Sequence, residues 1–417
     1  MIAVAWRSLR HRPGGFAATF LSALLGATLL TAFASLIDTA AGADAASAES
    51  LITTASVAGG WCLVIVVFAV TSTLGLSVRR RAEEVALLRR TGATRGQVRR
   101  MIVGEAALVA LIAATVAVPG GLLLGRVLLA LLHDTGQVAE AVGYEFGPIA
   151  LAAGFGVTLL GSLIAAVAAE RRTREGVRKD RPRTRRIAAG VFLAAGVSCG
   201  IVTATVMRGK GIDAMQTAGQ AGIWASIGLA LLAPELLRAV SAPLRPMARK
   251  PAGAVMPVTL FSGIATGTVI MQETEDRAAA GTIVPDFAAD IQTLNYTVVG
   301  MITLFVAVML VNTLIAATTG RRREFAQLRL AGATRGQLTA MVALEGALAA
   351  ITGVAAGSVA ALCTIVPFAL ARTGVVWPQP SPCPYLVIVG VALTLTGAAL
   401  LGTTRRVIAG PVPALLS

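Results

Sequence analysis

The sequence is poor in charged, aromatic, histidine and cysteine residues. Charged residues make up 14% of the 417 residues and aromatic residues 5%, whereas hydrophobic residues make up 56% and the mean hydropathy is +0.77. A soluble protein carries about 25% charged residues. The composition therefore excludes an ordinary soluble domain and indicates an integral membrane protein whose apolar runs cross the bilayer.

Residues that usually carry chemistry are scarce as well. The two histidines, His11 and His133, lie at predicted membrane edges, and the four cysteines show neither CxxC nor His/Cys metal spacing. No G-x-x-x-x-G-K-[ST] motif occurs, so the chain cannot hold ATP phosphates by that route. We therefore predict no catalytic residue, no metal site and no cofactor in this chain. Any chemical energy that it uses must come from a partner.

Positive charge is in excess, since 36 Lys and Arg against 21 Asp and Glu give a net charge of +15. The basic residues cluster between apolar runs with few aromatic residues beside them. This pattern favours cytoplasmic loops of a membrane protein over a nucleic-acid surface. The densest basic stretch, residues 170–186, is interpreted as a cytoplasmic linker beside anionic lipid headgroups. Membrane lipids, and no nucleic acid, are the predicted partners of these charges.

Ten apolar runs are long enough to cross a bilayer, and basic loops on one side alternate with acidic loops on the other. This alternation predicts ten spans with both termini in the cytoplasm. A signal peptide is the competing interpretation of the first run, since Ala32-Phe-Ala34 resembles a cleavage site, but the run exceeds a typical signal h-region. The predicted spans cover residues 16–37, 56–78, 108–132, 148–169, 187–207, 221–240, 252–271, 297–319, 347–370 and 385–401.

One stretch of the sequence occurs twice. Gly92–Gln97 recurs unchanged as Gly332–Gln337, 240 residues later, inside longer matching stretches that we call the first elbow (residues 81–97) and the second elbow (residues 321–337). Such a repeat indicates two copies of one unit, and both copies fall in predicted cytoplasmic loops, so the units are parallel. We predict an all-α membrane protein with two four-span units joined by a basic linker and two extra spans. The first unit, the linker with spans five and six, and the second unit cover residues 1–170, 171–244 and 245–417.

Each elbow predicts a helix, a sharp corner and a second helix. In the first elbow an apolar stripe among charges indicates the first helix, Arg89 suits the negative end of its dipole, and Gly92 favours a left-handed C-terminal cap. Thr94 and Gln97 then have the spacing of a capping box, which begins the second helix. A charged corner joined to a membrane span is a part that can transmit movement.

Three polar side chains lie inside predicted apolar segments. Glu105 and Glu345 occupy matching places about two to three turns after each corner, and a carboxylate that close to a bilayer is often functional. The alternative is equally open: each glutamate lies at headgroup depth or binds a basic side chain of the elbow. Asn312, in the eighth span, favours an interhelical hydrogen bond over a ligand contact.

The elbows resemble a known family. The stretches from Glu84 to Arg95 and from Glu324 to Arg335 look like the signature of FtsX-like permeases, the membrane subunits of MacB-type ABC transporters. The resemblance implies that each elbow docks onto a separate ATP-binding subunit, which binds the ATP and Mg²⁺. The implied coupling residues are Glu84, Arg89, Gly92, Ala93, Thr94, Arg95, Gln97, Glu324, Arg329, Gly332, Ala333, Thr334, Arg335 and Gln337.

The ten-span arrangement is similar to that of bacitracin-type resistance permeases, in which one permease chain works with two ATPase copies in the bacterial plasma membrane. One departure concerns the outer loops. Family members usually carry a large extracytoplasmic domain after the first span of a unit, whereas only residues 38–55 and 272–296 lie at those places here. A compact membrane body favours an apolar or amphipathic substrate, such as a lipid, a peptide or an antibiotic-like molecule.

The resulting hypothesis is a permease without enzymatic activity that couples ATP hydrolysis by partner subunits to export or extraction of such a substrate. A signalling or scaffold protein that passes ATPase-driven motion to a cell-envelope partner is the alternative. An ion-coupled secondary transporter, which would use Glu105 and Glu345, is a third hypothesis.

Overall fold

The computed structural model describes residues 13–80, 91–174, 182–210, 212–240, 252–279, 285–377 and 381–409. Within these residues the chain forms α-helices and one π-helical turn, and it contains no strand. The predicted fold class, an all-α membrane protein, is therefore confirmed.

The described helices fall into two compact units, and the first unit comprises residues 1–180 and 284–298. In this unit α1 contacts α2, α3 and α4, while α2 and α3 both contact α5. Helix α1 is therefore its central element. The helices of the first unit are α1 (Pro13–Ala40), α2 (Ala45–Arg80), α3 (Arg95–Asp134), α4 (Pro148–Leu151), a π-helical turn (Ala152–Val157) and α5 (Thr158–Arg174).

Small residues bring α1 close to α3. Thr31 and Ser35 lie one turn apart on α1 and face Gly121 and Gly125 of α3. A Cβ atom added at Gly121 would lie 2.7 Å from the Cβ of Thr31, so only glycine permits this approach. The glycine pair thus serves as a contact surface between helices, as small-xxx-small patterns do in membranes.

The second unit comprises residues 181–283 and 299–417. Helix α9 is its central element, because 89% of its apolar 18-residue stretch is buried, compared with 22% of the corresponding stretch of α6. Helix α9 contacts α7, α12 and α13. The helices from here to the end are α6 (Pro182–Thr205), α7 (Ile212–Leu231), α8 (Ala233–Val240), α9 (Ala252–Ala279), α10 (Pro285–Thr319), α11 (Arg322–Leu330), α12 (Arg335–Thr373) and α13 (Pro382–Ala409).

The predicted fifth and sixth spans belong to this second unit. Helix α7 contacts α6, α9 and α12, and the rings of Phe192 and Trp224 stack with centroids 5.5 Å apart. Arg185 of α6 donates to Glu235 of α8 at 2.7 Å. The fifth and sixth predicted spans are therefore packed into the helix bundle of the second unit. The domain boundaries at residues 170 and 244 stay a prediction.

Eight of the described helices are long and apolar enough to cross a membrane, and the number rises to nine if α7 and α8, bent by 63°, form one span. Helices occupy all ten predicted positions. The fourth position is the shortest, because the apolar helix there covers only Pro148–Ile164 and contains the π-helical turn. The chain is thus a multi-pass membrane protein, and the count of ten spans stays a prediction.

Helix α12 approaches α9 through Gly357. A Cβ atom added there would lie 2.7 Å from the backbone nitrogen of Gly263 and 2.6 Å from the Cβ of Ser262. We expect Gly357→Ala to destabilise the folded protein by about 1–3 kcal/mol, because the two backbones would have to separate. The measurement is the melting temperature of the purified chain in detergent. Gly390→Ala is the matched control, since its Cβ meets nothing within 4 Å, and an equal loss in both variants would contradict the account.

Candidate coupling site

Both predicted corners contain a left-handed glycine. Gly92 has a φ of 96° and Gly332 a φ of 93°, a region that side chains with a Cβ rarely adopt. In the second elbow, α11 ends at this point, and the amide of Ala333 donates to the carbonyl of Leu328 at 2.9 Å. The predicted left-handed conformation is present at both glycines, and in the second elbow it follows the end of a helix as a C-terminal cap does. The helix that Gly92 is predicted to cap lies outside the described residues.

Both predicted capping boxes are present. In the first elbow the Gln97 amide donates to the Thr94 hydroxyl at 3.3 Å, and the Thr94 amide donates to Oε1 of Gln97 at 2.8 Å. The corresponding distances for Gln337 and Thr334 are 3.2 and 2.9 Å. The same local hydrogen bonds therefore fix the start of α3 and of α12, the long helices that follow the corners.

The helix before the corner is described only in the second elbow. Glu84 and Arg89, two predicted coupling residues of the first elbow, fall in residues 81–90, which lie outside the described part of the chain. In the second elbow this helix is α11, and its side chains Phe325 and Ala326 are fully buried. The apolar stripe predicted from the sequence thus anchors α11 on the helices of its unit.

A cluster of charges connects α11 to α12. Nη1 of Arg321 donates to Oε2 of Glu345 at 2.5 Å, and Nε donates to Oε2 of Glu324 at 3.1 Å. The guanidinium also lies over the ring of Phe325, 5.3 Å from its centroid. Arg321 therefore holds one carboxylate from each of two helices, on either side of the corner.

The same contacts determine the protonation state of Arg321. Burial acts to lower the pKa of the guanidinium, but the hydrogen bonds and charges of Glu345 and Glu324 outweigh it and raise that pKa above its ordinary value. Arg321 therefore stays charged throughout the physiological range. For Glu345, which is 8% exposed, the structure favours the second of the two sequence interpretations: the glutamate binds a basic side chain of the elbow.

Arg329 also has a partner inside the chain. Its Nη1 donates to the backbone carbonyl of Ile408, near the end of α13, at 3.1 Å. The exposed surface of the second elbow lies elsewhere, and it includes Leu330, which is 66% exposed, together with Gln327 and Arg335. These three exposed side chains are accessible to a partner, and the coupling role of Arg329 stays a prediction.

The other two predicted intramembrane residues lie in different surroundings. Glu105 is 5% exposed on α3, one turn beyond Ile102, a member of a small buried apolar cluster with Val98. Asn312 is half-buried on α10. Both residues have interaction partners within the chain. Among the residues that the structure describes, no group of three or more His, Cys, Asp or Glu could hold a metal ion.

Acidic side chains connect neighbouring helices at the end of each unit that lies opposite the corner. Asp38 of α1 accepts hydrogen bonds from the amides of Ile149 and Ala150, at 3.1 and 2.8 Å, and so caps α4. In the second unit Arg372 of α12 donates to both oxygens of Glu275 on α9, at 2.8 and 3.1 Å. At the end far from its elbow, each unit therefore has two helices held together by these polar contacts: α1 with α4, and α12 with α9.

Sequence reasoning missed two residues of this site. Arg321 is the centre of the charge cluster, and a signal for it was present, because the repeat places an arginine, Arg81, at the same point of the first elbow. Leu330 gives no such signal, since the first elbow has Arg90 there and an apolar residue in a helix is ordinarily expected to be buried.

The described helices form a multi-pass membrane protein in which the long helices α3 and α12 each begin at a capped corner. The family comparison identifies the class of membrane protein more closely. The model described as FtsX-like permease C-terminal matches residues 56–174 and 296–408, more than half of the chain, and each matched segment contains one corner. The chain belongs to the FtsX-like permease family. No curated protein matches the chain in sequence.

Family membership makes the chain a transport subunit of the ABC-transporter type, a class that associates with an ABC ATP-binding subunit. Membership of this family also agrees with the multi-pass helical structure described above. The MacB-type subclass expected from the elbow sequences stays a prediction.

Proposed function

We propose that this chain is the permease of a bacterial ABC transporter that exports or extracts an apolar or amphipathic molecule, driven by two copies of a separate ATPase. The observation that carries the proposal is the repeated corner, which has the same glycine conformation and the same capping box in both elbows. Each elbow receives one ATPase copy on the cytoplasmic side, where both termini also lie.

The second elbow has the properties of a mechanical link. Phe325 is fully buried and holds α11 against its unit, and Arg321 connects this helix to Glu345 on α12. A force on the exposed surface around Leu330 therefore reaches α12 through a buried side chain and a charged hydrogen bond. Since α12 is the principal partner of α9 in its bundle, movement at the elbow is passed to the membrane helices.

The proposed substrate class follows from what the membrane body offers. Helix α1 ends at Ala40 and α2 begins at Ala45, so a short turn takes the place of an extracytoplasmic domain between them. Large apolar side chains are exposed along several helices, among them Leu123, Ile164 and Ile351. A molecule that partitions into the bilayer can reach such surfaces without a soluble receptor domain.

The alternative hypotheses have less support at this site. A secondary transporter would need a carboxylate that is free to bind an ion, whereas the carboxylate of Glu345 is held by Arg321. A signalling or scaffold protein would use the same elbow but would pass movement to another envelope protein and transport nothing itself.

The test is reconstitution of the purified chain and its ATPase in lipid vesicles, with ATP hydrolysis and substrate release measured together. We expect an amphipathic substrate to stimulate hydrolysis and to leave its membrane leaflet only when ATP is present. Hydrolysis that responds to no amphiphile but does respond to an added envelope protein would support the signalling alternative. Flux driven by an ion gradient without the ATPase would contradict the proposal.

The corner itself can be tested by Gly332→Ala. A Cβ there meets nothing within 4 Å, so its whole effect comes from the left-handed backbone, which costs an L residue about 1–2 kcal/mol. We expect lower substrate-stimulated ATP hydrolysis, whereas Gly332→Asn should retain more activity because asparagine tolerates this region better. Gly336→Ala, in the first turn of α12, is the control. If Gly332→Ala and Gly336→Ala behaved alike, the corner would not require its left-handed residue.

A further inference from the structure

Arg126 is an unusual residue for its position. It is an exposed residue on α3, flanked by Leu123 and Val127, which are 65% and 50% exposed. Asp134 ends α3 about two turns later, roughly 12 Å along the helix axis. A guanidinium on an apolar, outward-facing stripe is costly in a membrane unless it reaches an anion or the polar headgroup region.

No carboxylate of the described residues pairs with Arg126. Its one contact there is with the ring of Tyr144, whose centroid lies 5.7 Å from the guanidinium carbon. By contrast, Arg185, Arg321 and Arg372 each bind a carboxylate within their own unit. Within the described part of the chain, Arg126 therefore has no anionic partner, and its charge is open to an added ligand.

The tyrosine that supports Arg126 is itself held in place. Its hydroxyl lies close to Gly125 and Ser35, so closely that a Cβ at Gly125 would overlap both side-chain oxygens. Burial raises the pKa of Tyr144, against the opposing effects of the Ser35 hydroxyl and the Arg126 charge. The ring therefore stays neutral and presents its π face to the guanidinium, an arrangement that orients an arginine without using its hydrogen-bond donors.

We propose that Arg126, oriented by Tyr144, binds the phosphate group of an amphiphile at the end of the first unit opposite its elbow. Phosphate matches the planar fork of arginine donors, and the exposed leucine and valine beside Arg126 suit an acyl chain. The second unit has Val366 at the corresponding position, so Arg126 has no counterpart at this point of the repeat. The proposed function, with the elbows on the cytoplasmic side, would place this end of the unit in the outer leaflet; the binding itself does not depend on that placement.

The test measures binding to the purified full-length chain in detergent by native mass spectrometry, without the ATPase. Phosphatidylglycerol is compared with diacylglycerol, which lacks the phosphate, and with inorganic pyrophosphate, which lacks acyl chains. We expect Arg126→Gln to weaken phosphatidylglycerol binding about tenfold or more, as the loss of charge-assisted hydrogen bonds predicts, and Arg126→Lys to weaken it less. Binding of pyrophosphate that depends on Arg126 would show that a free phosphate suffices, and lipid binding alone would show that the acyl chain is required.

Arg208→Gln is the matched control, since Arg208 is exposed in the segment between α6 and α7 and its Nε donates to the Ala204 carbonyl. Tyr144→Phe should retain binding because it keeps the ring, whereas Tyr144→Leu should weaken it. Equal phosphatidylglycerol binding by the native chain and a folded Arg126→Gln variant would overturn the proposal, as would equal binding of diacylglycerol. Because the assay contains no ATPase, this failure would leave the proposed coupling function untouched.

Discussion

Arg321→Met should lower the melting temperature of the chain and uncouple ATP hydrolysis from substrate. The change leaves Glu345, whose side chain is 11% exposed, without its partner at 2.5 Å, and an uncompensated charge in such a place costs about 2–3 kcal/mol. It also removes the hydrogen bonds between α11 and α12, so substrate-stimulated hydrolysis should fall about fivefold or more, the size of an ordinary coupling energy. Differential scanning fluorimetry and ATPase assays on reconstituted protein measure the two effects.

A second variant separates the two roles of Arg321. In Arg321→Met with Glu345→Leu no charge is left buried, so stability should return toward that of the native chain. Coupled hydrolysis should stay low, because the directional hydrogen bonds between α11 and α12 remain absent. Recovery of both properties would show that the cluster only stabilises the fold. Arg322→Gln, at the exposed neighbouring position, is the control for the loss of a positive charge at the elbow.

Leu330→Glu should weaken binding of the ATPase about 30-fold, the effect of losing an apolar anchor at the centre of an interface. Leu330 is 66% exposed beside the corner, so the substitution should leave the fold unaffected. The measurement is titration of the purified permease with its ATPase, followed by surface plasmon resonance or by the onset of coupled hydrolysis.

Two further variants control this experiment. Leu330→Met retains an apolar side chain and should bind nearly as well as the native chain, while Arg208→Glu makes a charge change remote from the elbow and should have no effect. Native affinity in the Leu330→Glu variant would mean that the partner contacts another surface of the chain.

The corner could be predicted from the sequence because its determinants are local. A glycine with positive φ and a threonine three residues before a glutamine are decided within a few residues of chain, and the structure shows both features in both elbows. The family followed from the same stretches. Helix positions were also predictable, since apolar length alone sets them.

The contacts of the site could not be predicted in this way. Whether Glu345 serves a substrate or binds the elbow depends on where Arg321 lies in space, and the two residues are on different helices. The fourth span shows the same limit. Its apolar length predicts one straight helix, but Gly154 lies against Thr31 of α1, and a π-helical turn occurs at that contact. Leu330 could not be identified because only tertiary structure shows which apolar side chains remain exposed.

The most direct test of the account is the composition of the native complex. The tagged chain is purified from the membranes of its own cell, and the number of ATP-binding subunits per chain is determined by native mass spectrometry. The account predicts two ATPase copies per chain, one for each elbow. A well-folded chain that carries no ATPase would contradict it, because the two corners would then serve some other partner.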